Sequence, residues 1–167
     1  MPNDNAPDWD EIVERYATRV FRIAFRILGT VHDAEDISQL VFSELFRMSR
    51  EKPVRDWTGL VVRMTTLRAI DHLRSRQHVV ELSERLVATS SDPAQSMIAV
   101  ELADWLRDSL CRLPKQQVEV FSLIYFEEMD RHEVADLLGI SPEAVSAALF
   151  KARQNLMTQF RVVSGEH

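Results

Sequence analysis

Asp130-Arg131-His132-Glu133-Val134-Ala135-Asp136-Leu137-Leu138-Gly139-Ile140-Ser141-Pro142-Glu143-Ala144-Val145 is the stretch on which the reading of this chain turns. Asp130 followed three residues later by Glu133 forms a capping pair, in which each side chain can satisfy a backbone N–H of the other at a helix start. Val134, Ala135, Leu137 and Leu138 give that helix an apolar face, and Gly139 supplies the left-handed residue that ends it. Ser141 caps a new helix, Pro142 suits its first position, and Ile140 and Val145 are spaced as a hydrophobic staple. These are the parts of a helix-turn-helix, whose second helix enters the major groove of DNA. A purely structural hairpin is the alternative, but cap, staple, small crossing residue and glycine turn occur together here, which favours DNA reading.

The apolar stripe of the second helix continues through Val145, Leu149, Ala152 and Leu156. With Ser141 at its start, Glu143, Ser146, Ala147, Phe150, Lys151 and Arg153 fall outside that stripe and can face a groove. Lys151 and Arg153 suit phosphates, Ser146 and Glu143 suit base edges, and Ala147 can meet a thymine methyl.

Towards the N-terminus the same helical period recurs. Trp9, Ile12, Val13, Tyr16, Val20, Ile23, Ala24, Ile27 and Leu28 make one amphipathic helix that Gly29 stops. Asp33 is placed to cap the next, which carries Ile37, Leu40, Val41, Leu45 and Phe46 and ends before Pro53. Asp56 opens a third, with Trp57, Leu60, Val61, Met64, Leu67, Ile70 and Leu73 as its expected buried positions. Residues 78–98 lose the pattern and contain Ser83, Thr89, Ser90, Ser91, Asp92 and Pro93, the composition of a linker, with one short helical turn expected around Glu81 to Leu86. Period returns at Val100, Ala103, Leu106 and Leu110, and Pro114 opens the helix that buries Val118, Phe121, Ile124 and Tyr125. The expectation is an all-α protein of two small helical domains, 8–77 and 99–161, joined by a flexible linker over 78–98.

Composition narrows the functions. Hydrophobic residues are 46% and charged residues 28% of the 167, a globular balance, and only four glycines interrupt it. The net charge of −6 argues against nonspecific coating of nucleic acid, so any DNA contact is local. Such a locality exists between Arg50 and Arg76, where Arg50, Lys52, Arg55, Arg63, Arg68, Arg74 and Arg76 outnumber Glu51, Asp56 and Asp71; an ordinary solvated helix face is the plainer account. Cys111 is the only cysteine, which precludes an internal disulfide and a cysteine-based zinc site, and it reads as a small half-buried residue at a helix end. His32, His78, His132 and His167 have no metal-ligand spacing, Asp71 and His72 are adjacent and diverge on a helix, and neither a phosphate-binding glycine loop nor a nucleophile elbow is present. No enzyme, metal or cofactor is expected. No run is long and apolar enough to span a membrane and no signal peptide is expected, so membrane insertion is not expected and a cytoplasmic location is.

The chain resembles a known family. Leu113-Pro114-Lys115-Gln116-Gln117, Val120 to Glu128, Glu133 to Ser141, Val145 and Lys151-Ala152-Arg153 are similar to region four of RNA polymerase sigma factors. Asp33-Ala34-Glu35-Asp36-Ile37-Ser38-Gln39 with Val41-Phe42 resembles the start of the polymerase-binding helix of region two, and Leu60 to Arg76 resembles the promoter-melting helix that follows. The order of these stretches is that of the extracytoplasmic-function subgroup of the sigma-70 family.

The resemblance implies a promoter-specificity subunit that directs transcription initiation, with core RNA polymerase and promoter DNA as partners and an anti-sigma factor as a further one. It implies that Asp33, Glu35, Asp36 and Gln39 dock on the polymerase. Arg50, Lys52, Arg55, Trp57, Arg63, Arg74 and Arg76 would hold the melted minus-ten strand, and Ser141 to Arg153 would read the minus-thirty-five duplex. Trp57 lies on the apolar side of its helix, as a core residue would, and is also a possible stacking platform. The sequence departs from the family where Leu40 and Leu67 replace an acid and an asparagine, and where Ala144, Ser146 and Ala148 stand at recognition-helix positions that are often basic or hydroxylic. Two other readings therefore stand beside it: a free-standing helix-turn-helix regulator, and a degenerate sigma-like module that binds polymerase or a regulator and reads DNA weakly.

Overall fold

A computed structural model describes residues 8–82 and 94–165, and every regular element among them is an α-helix. In order these are α1 (Trp9–Leu28), α2 (Val31–Glu51), α3 (Trp57–Leu82), α4 (Ala94–Cys111), α5 (Lys115–Tyr125), α6 (Arg131–Leu138) and α7 (Pro142–Ser164). Packing divides the chain into two units, Met1–His72 and Leu73–His167. The division falls inside α3 rather than at the expected 77–78 boundary, because α3 runs through it without a break.

The expected linker is narrower in the structure, since 78–82 belong to α3 and 94–98 to α4. Val79, Val80 and Leu82 continue helical sequence beyond the point where polar residues begin, and Ala94 follows Pro93 as a good helix former. The rest of that linker, with most of the short turn expected there, lies outside the described residues.

In the first unit α1 and α2 are joined by Gly29 and Thr30 alone. Gly29 adopts φ 78°, and its N–H closes on the Phe25 carbonyl. Thr30, not Asp33, caps α2: its hydroxyl oxygen accepts from the Asp33 N–H at 3.3 Å, and the hydroxyl donates to the Asp33 carboxylate at 2.8 Å. Threonine three residues nearer the turn can reach the open amides of the first helical turn, which leaves Asp33 at the third helical position, favourable for a carboxylate. Val20, Ile23, Ile27 and Leu28 of α1 meet Val41 and Leu45 of α2 in a core from which water is excluded. Each such side chain contributes about 1.5–3 kcal/mol by leaving water.

The buried face of α3 differs from the expected stripe. Val61, Val62, Thr65, Thr66, Ala69, Ile70 and Leu73 are buried, whereas Leu60, Met64 and Leu67 are only half-buried. Thr65 and Thr66 fall outside the apolar pattern, yet both are buried; Thr65 Oγ1 donates to the Val61 carbonyl at 2.7 Å and so enters the core with its hydrogen bond satisfied.

The second unit gathers α4, α5 and α6 against α7. Leu110, Val118, Val120, Leu123, Val134, Val145 and Ala152 form its core. Along α7 it is Ala148 rather than Leu149 that is buried, because the small alanine allows α7 to approach its neighbours closely. Pro114 stands immediately before α5 as its N-cap. Cys111 closes α4 half-buried, and its thiol is pushed above its ordinary value chiefly by that burial.

Candidate nucleic-acid and protein interfaces

Helix α2 presents one face to its own core and the other outward. Ala34, Ile37, Val41 and Leu45 are buried, while Glu35, Asp36, Gln39, Leu40, Ser43 and Phe46 are exposed along the opposite side. The exposed side mixes acids with apolar groups, Leu40 at 42% and Phe46 at 43% exposure. That combination suits a protein partner with basic and apolar features, where charge governs encounter and apolar contact governs residence. Asp33 does not join this face. Its side chain is 17% exposed, and it is engaged by the Thr30 hydroxyl and by His72 Nε2 at 3.1 Å. Asp33 thus ties α2 to α3 within the first unit.

A second tie runs from Arg68 of α3, whose Nε donates to Glu44 at 2.8 Å and whose Nη1 donates to Asp71 at 3.3 Å. The hydrogen bond that Arg68 donates to Glu44, with the charges of Glu44 and Asp71, holds its guanidinium above its ordinary pKa despite partial burial. A third joins the Tyr16 hydroxyl and Thr58 Oγ1 at 3.0 Å. Sequence periodicity carries no sign of these pairs, which link positions up to 42 residues apart.

The turn into α3 is basic and aromatic. Asp56 caps α3 by accepting from the Gly59 N–H at 2.9 Å, as expected. Arg50, Lys52 and Arg55 are exposed around it. Trp57 is half-buried and meets Trp9 edge-on at 6.3 Å, and Trp9 in turn contacts Phe42 and Phe46 at 6.3 and 5.0 Å. The Arg50 guanidinium lies 5.8 Å from the Phe46 ring centre. Arg63 is half-buried on α3, and Arg74 and Arg76 fall beyond His72, in the second unit. There Arg74 Nη2 donates to the Leu113 carbonyl at 2.8 Å. The expected basic set is thus not one group: Arg50, Lys52, Arg55, Trp57 and Arg63 stand in the first unit, Arg74 and Arg76 in the second.

The helix-turn-helix is built from the expected parts. Asp130 accepts from the His132 and Glu133 N–H groups at 2.7 and 2.9 Å, and Glu133 Oε2 accepts from the Asp130 N–H at 2.8 Å. Those backbone donors, that of Glu133 first, hold the Asp130 carboxyl below the usual carboxylate range. Gly139 adopts φ 66°, and the Ser141 hydroxyl accepts from the Ala144 N–H at 3.1 Å. Ser141, Glu143, Ala147, Phe150, Lys151 and Arg153 are exposed on α7, and Ser146 is half-buried.

Two contacts on α7 were not foreseen. Arg153 donates from Nε to the Tyr125 hydroxyl at 2.7 Å and from Nη2 to the same oxygen, with its guanidinium 5.5 Å from the ring centre. Arg131, the first residue of α6, donates from Nη1 to Ser146 Oγ at 3.2 Å. Only the helix crossing brings Arg131 to the recognition helix. Among the described residues no cluster of three or more histidine, cysteine or acidic side chains could hold a metal, and no helix is long and apolar enough to cross a membrane.

Residues 12–79 match the family model Sigma-70 region 2, and residues 103–156 match Sigma-70, region 4. The chain belongs to the sigma-70 family. Its relatives place it among the ECF sigma factors. It is 30% identical over 155 residues to the ECF RNA polymerase sigma factor SigE of Mycolicibacterium smegmatis, across 90% of this chain and 60% of SigE. It is 24% identical over 164 residues to SigW of Bacillus subtilis, across 90% of this chain and 88% of SigW. It is 28% identical over 152 residues to SigM of the same bacterium, across 88% of this chain and 91% of SigM.

The fold is shared with CnrH, solved in complex with the cytosolic domain of CnrY, at a TM-score of 0.58 and 18% identity, across 95% of this chain and 89% of CnrH. It is shared also with RpoE from Bartonella quintana, solved with the anti-sigma factor NepR, at a TM-score of 0.55 and 17% identity, across 93% of this chain and 98% of RpoE. The sigma-70 region 2 match contains α2 and its outward acidic face, and the region 4 match contains the helix-turn-helix.

Proposed function

We propose that this ECF sigma factor is the promoter-specificity subunit of bacterial RNA polymerase, with the two regions dividing the work. The observation that carries the reading is the presence, in one chain, of an outward acidic and apolar face on α2 within the region 2 match and an open α7 within the region 4 match. A free-standing helix-turn-helix regulator would account for α6 and α7 and leave the α2 face and region 2 without a purpose.

Glu35, Asp36 and Gln39, flanked by Leu40, dock on core polymerase. Asp33 contributes by fixing the start of α2 and not by contact. Arg50, Lys52 and Arg55 receive the phosphates of the melted minus-ten strand, and Arg63 extends that basic track along α3. Trp57 backs the track from within its aromatic cluster. Positive charge beside aromatic surface is what single-stranded binding needs.

Helix α7 enters the minus-thirty-five duplex with Glu143, Ser146, Ala147 and Phe150 toward the bases, Ser141 at its N-terminal edge, and Lys151 and Arg153 toward phosphates. The chain performs no chemistry of its own and works in the cytoplasm, where its template is. An anti-sigma factor is its expected regulatory partner, as RpoE of Bartonella quintana is solved in complex with the anti-sigma factor NepR.

With a net charge of −6, the isolated chain binds duplex DNA weakly and gains specific binding on joining core polymerase. Co-elution with core polymerase, followed by footprinting of the chain alone and of the complex, tests this. Promoter protection only by the complex is expected. Tight, sequence-specific protection by the isolated chain at physiological salt would favour the free-standing regulator, and a complex that forms but protects nothing would favour the degenerate module.

A further inference from the structure

Between Pro142 and Phe150 the only charged residue of α7 is the acid Glu143. The nearest positive charge to this segment fixed by a hydrogen bond comes from the other helix of the pair, through Arg131 Nη1 donating to Ser146 Oγ at 3.2 Å. Among the described residues this is the one hydrogen bond either side chain makes. Several other helical hydroxyls turn back on their own backbone: Ser38 on Ala34, Thr65 on Val61, Thr158 on Gln154 and Ser164 on Phe160. Ser146 does not.

The donor arithmetic then fixes the polarity of Ser146. A serine hydroxyl has one hydrogen to give and two lone pairs to receive, and a guanidinium only donates. Arg131 therefore occupies a lone pair of Ser146 Oγ, and the hydroxyl hydrogen remains uncommitted. In the major groove such a donor is satisfied by guanine N7 or O6, adenine N7 or thymine O4, and finds no acceptor on cytosine, which presents only its amino group. We infer that Arg131 is a specificity-determining positioning residue: by donating to Ser146 it sets that hydroxyl as a donor, and the pair selects an acceptor-bearing base edge and rejects cytosine at one position of the upstream promoter element. This rests on the reading of α7 as the duplex-reading helix.

The test uses holoenzyme reconstituted with the full chain and a library of promoter fragments randomised over the upstream element, bound at two salt concentrations. Wild type, R131A, S146A and the double variant are compared, with circular dichroism to verify folding of these two surface sites. Each single variant is expected to lose discrimination against cytosine at the same one position, by about three- to tenfold, the worth of one hydrogen bond. The double variant should be no worse than S146A alone. A uniform weakening by R131A across all sequences, with a salt slope lower by about one, would make Arg131 a phosphate contact and overturn the inference. Additive losses at different positions would overturn it as well. A wild-type holoenzyme with no preference at any position of the element would instead bring down the reading of α7 itself.

Discussion

The first unit and the second set the pose of their interface helix by different means. In the first, long helices bury wide apolar faces and are then joined by polar pairs distant in sequence: Tyr16 with Thr58, Arg68 with Glu44, His72 with Asp33. In the second, the short α6 and the turn into α7 are set by local punctuation, the Asp130–Glu133 box, Gly139 and the Ser141 cap. The difference has a functional consequence. A docking face such as α2 needs a rigid helix whose acids are sorted into those that face outward and those that brace it. A recognition helix needs a fixed angle of entry, which caps and a left-handed glycine provide with few residues.

The largest effects should come from the two cores. Leu45 and Leu123 are both fully buried, so L45A and L123A should each cost about 2–5 kcal/mol in denaturant unfolding. L45A should abolish binding to core polymerase, and L123A should abolish duplex preference in the holoenzyme. If the functional losses were exchanged, the division of work between the units would be wrong.

Next comes the sorting of acids on α2. Reversing Glu35 and Asp36 to lysine should weaken assembly with core polymerase by about tenfold or more with little change in the unfolding midpoint, because like charges facing each other across an interface are costly. D33A should do the opposite, costing about 1–2 kcal/mol of stability through loss of charge-assisted hydrogen bonds to Thr30 and His72. Equal effects of the three on assembly would erase the distinction drawn between them.

Smaller again is the contribution of a single phosphate contact. K151A should weaken holoenzyme binding evenly across promoter sequences and lower the salt slope by about one, as measured by binding titrations at several salt concentrations.

The smallest effect concerns the capping box. Backbone donors lower the Asp130 pKa, so its charged form adds stability that is fully present above the ordinary carboxylate range and is lost as pH falls through the lowered value. D130N should therefore be slightly less stable than wild type near neutrality, and the two should converge in acid, as read from thermal midpoints across pH.

What could be read from the sequence follows the same contrast. Gly29, Asp56, Asp130, Gly139 and Ser141 act within a few residues of themselves, and their roles were legible because capping chemistry is local. The apolar stripe of α1 and the Ile37, Val41 and Leu45 positions of α2 were legible from their period. Leu40 and Phe46, however, are exposed, and on α5 Val120 and Leu123 are buried while Phe121 and Ile124 are only half-buried and Tyr125 is exposed, because the neighbouring helices and not the period alone select the covered face. The buried face of α3 was not legible, because Thr65 enters the core through a hydrogen bond that hydrophobicity does not register. Thr30 and Asp33 stand close enough that either could cap α2, and the actual backbone start decided between them. Of the candidate site, the outward position of Glu35, Asp36 and Gln39 and of the exposed α7 residues could be seen from helical geometry. The inward use of Asp33, the engagement of Arg153 by Tyr125, and the arrival of Arg131 at Ser146 depend on helix crossings that no short window contains.

Run-off transcription by core polymerase on a promoter library, with and without this chain, is the most direct test of the central claim. Transcripts from a defined subset of promoters, present only when the chain is added, are the predicted result. The same transcripts with and without it, or none in either case despite stable assembly with core polymerase, would contradict the claim.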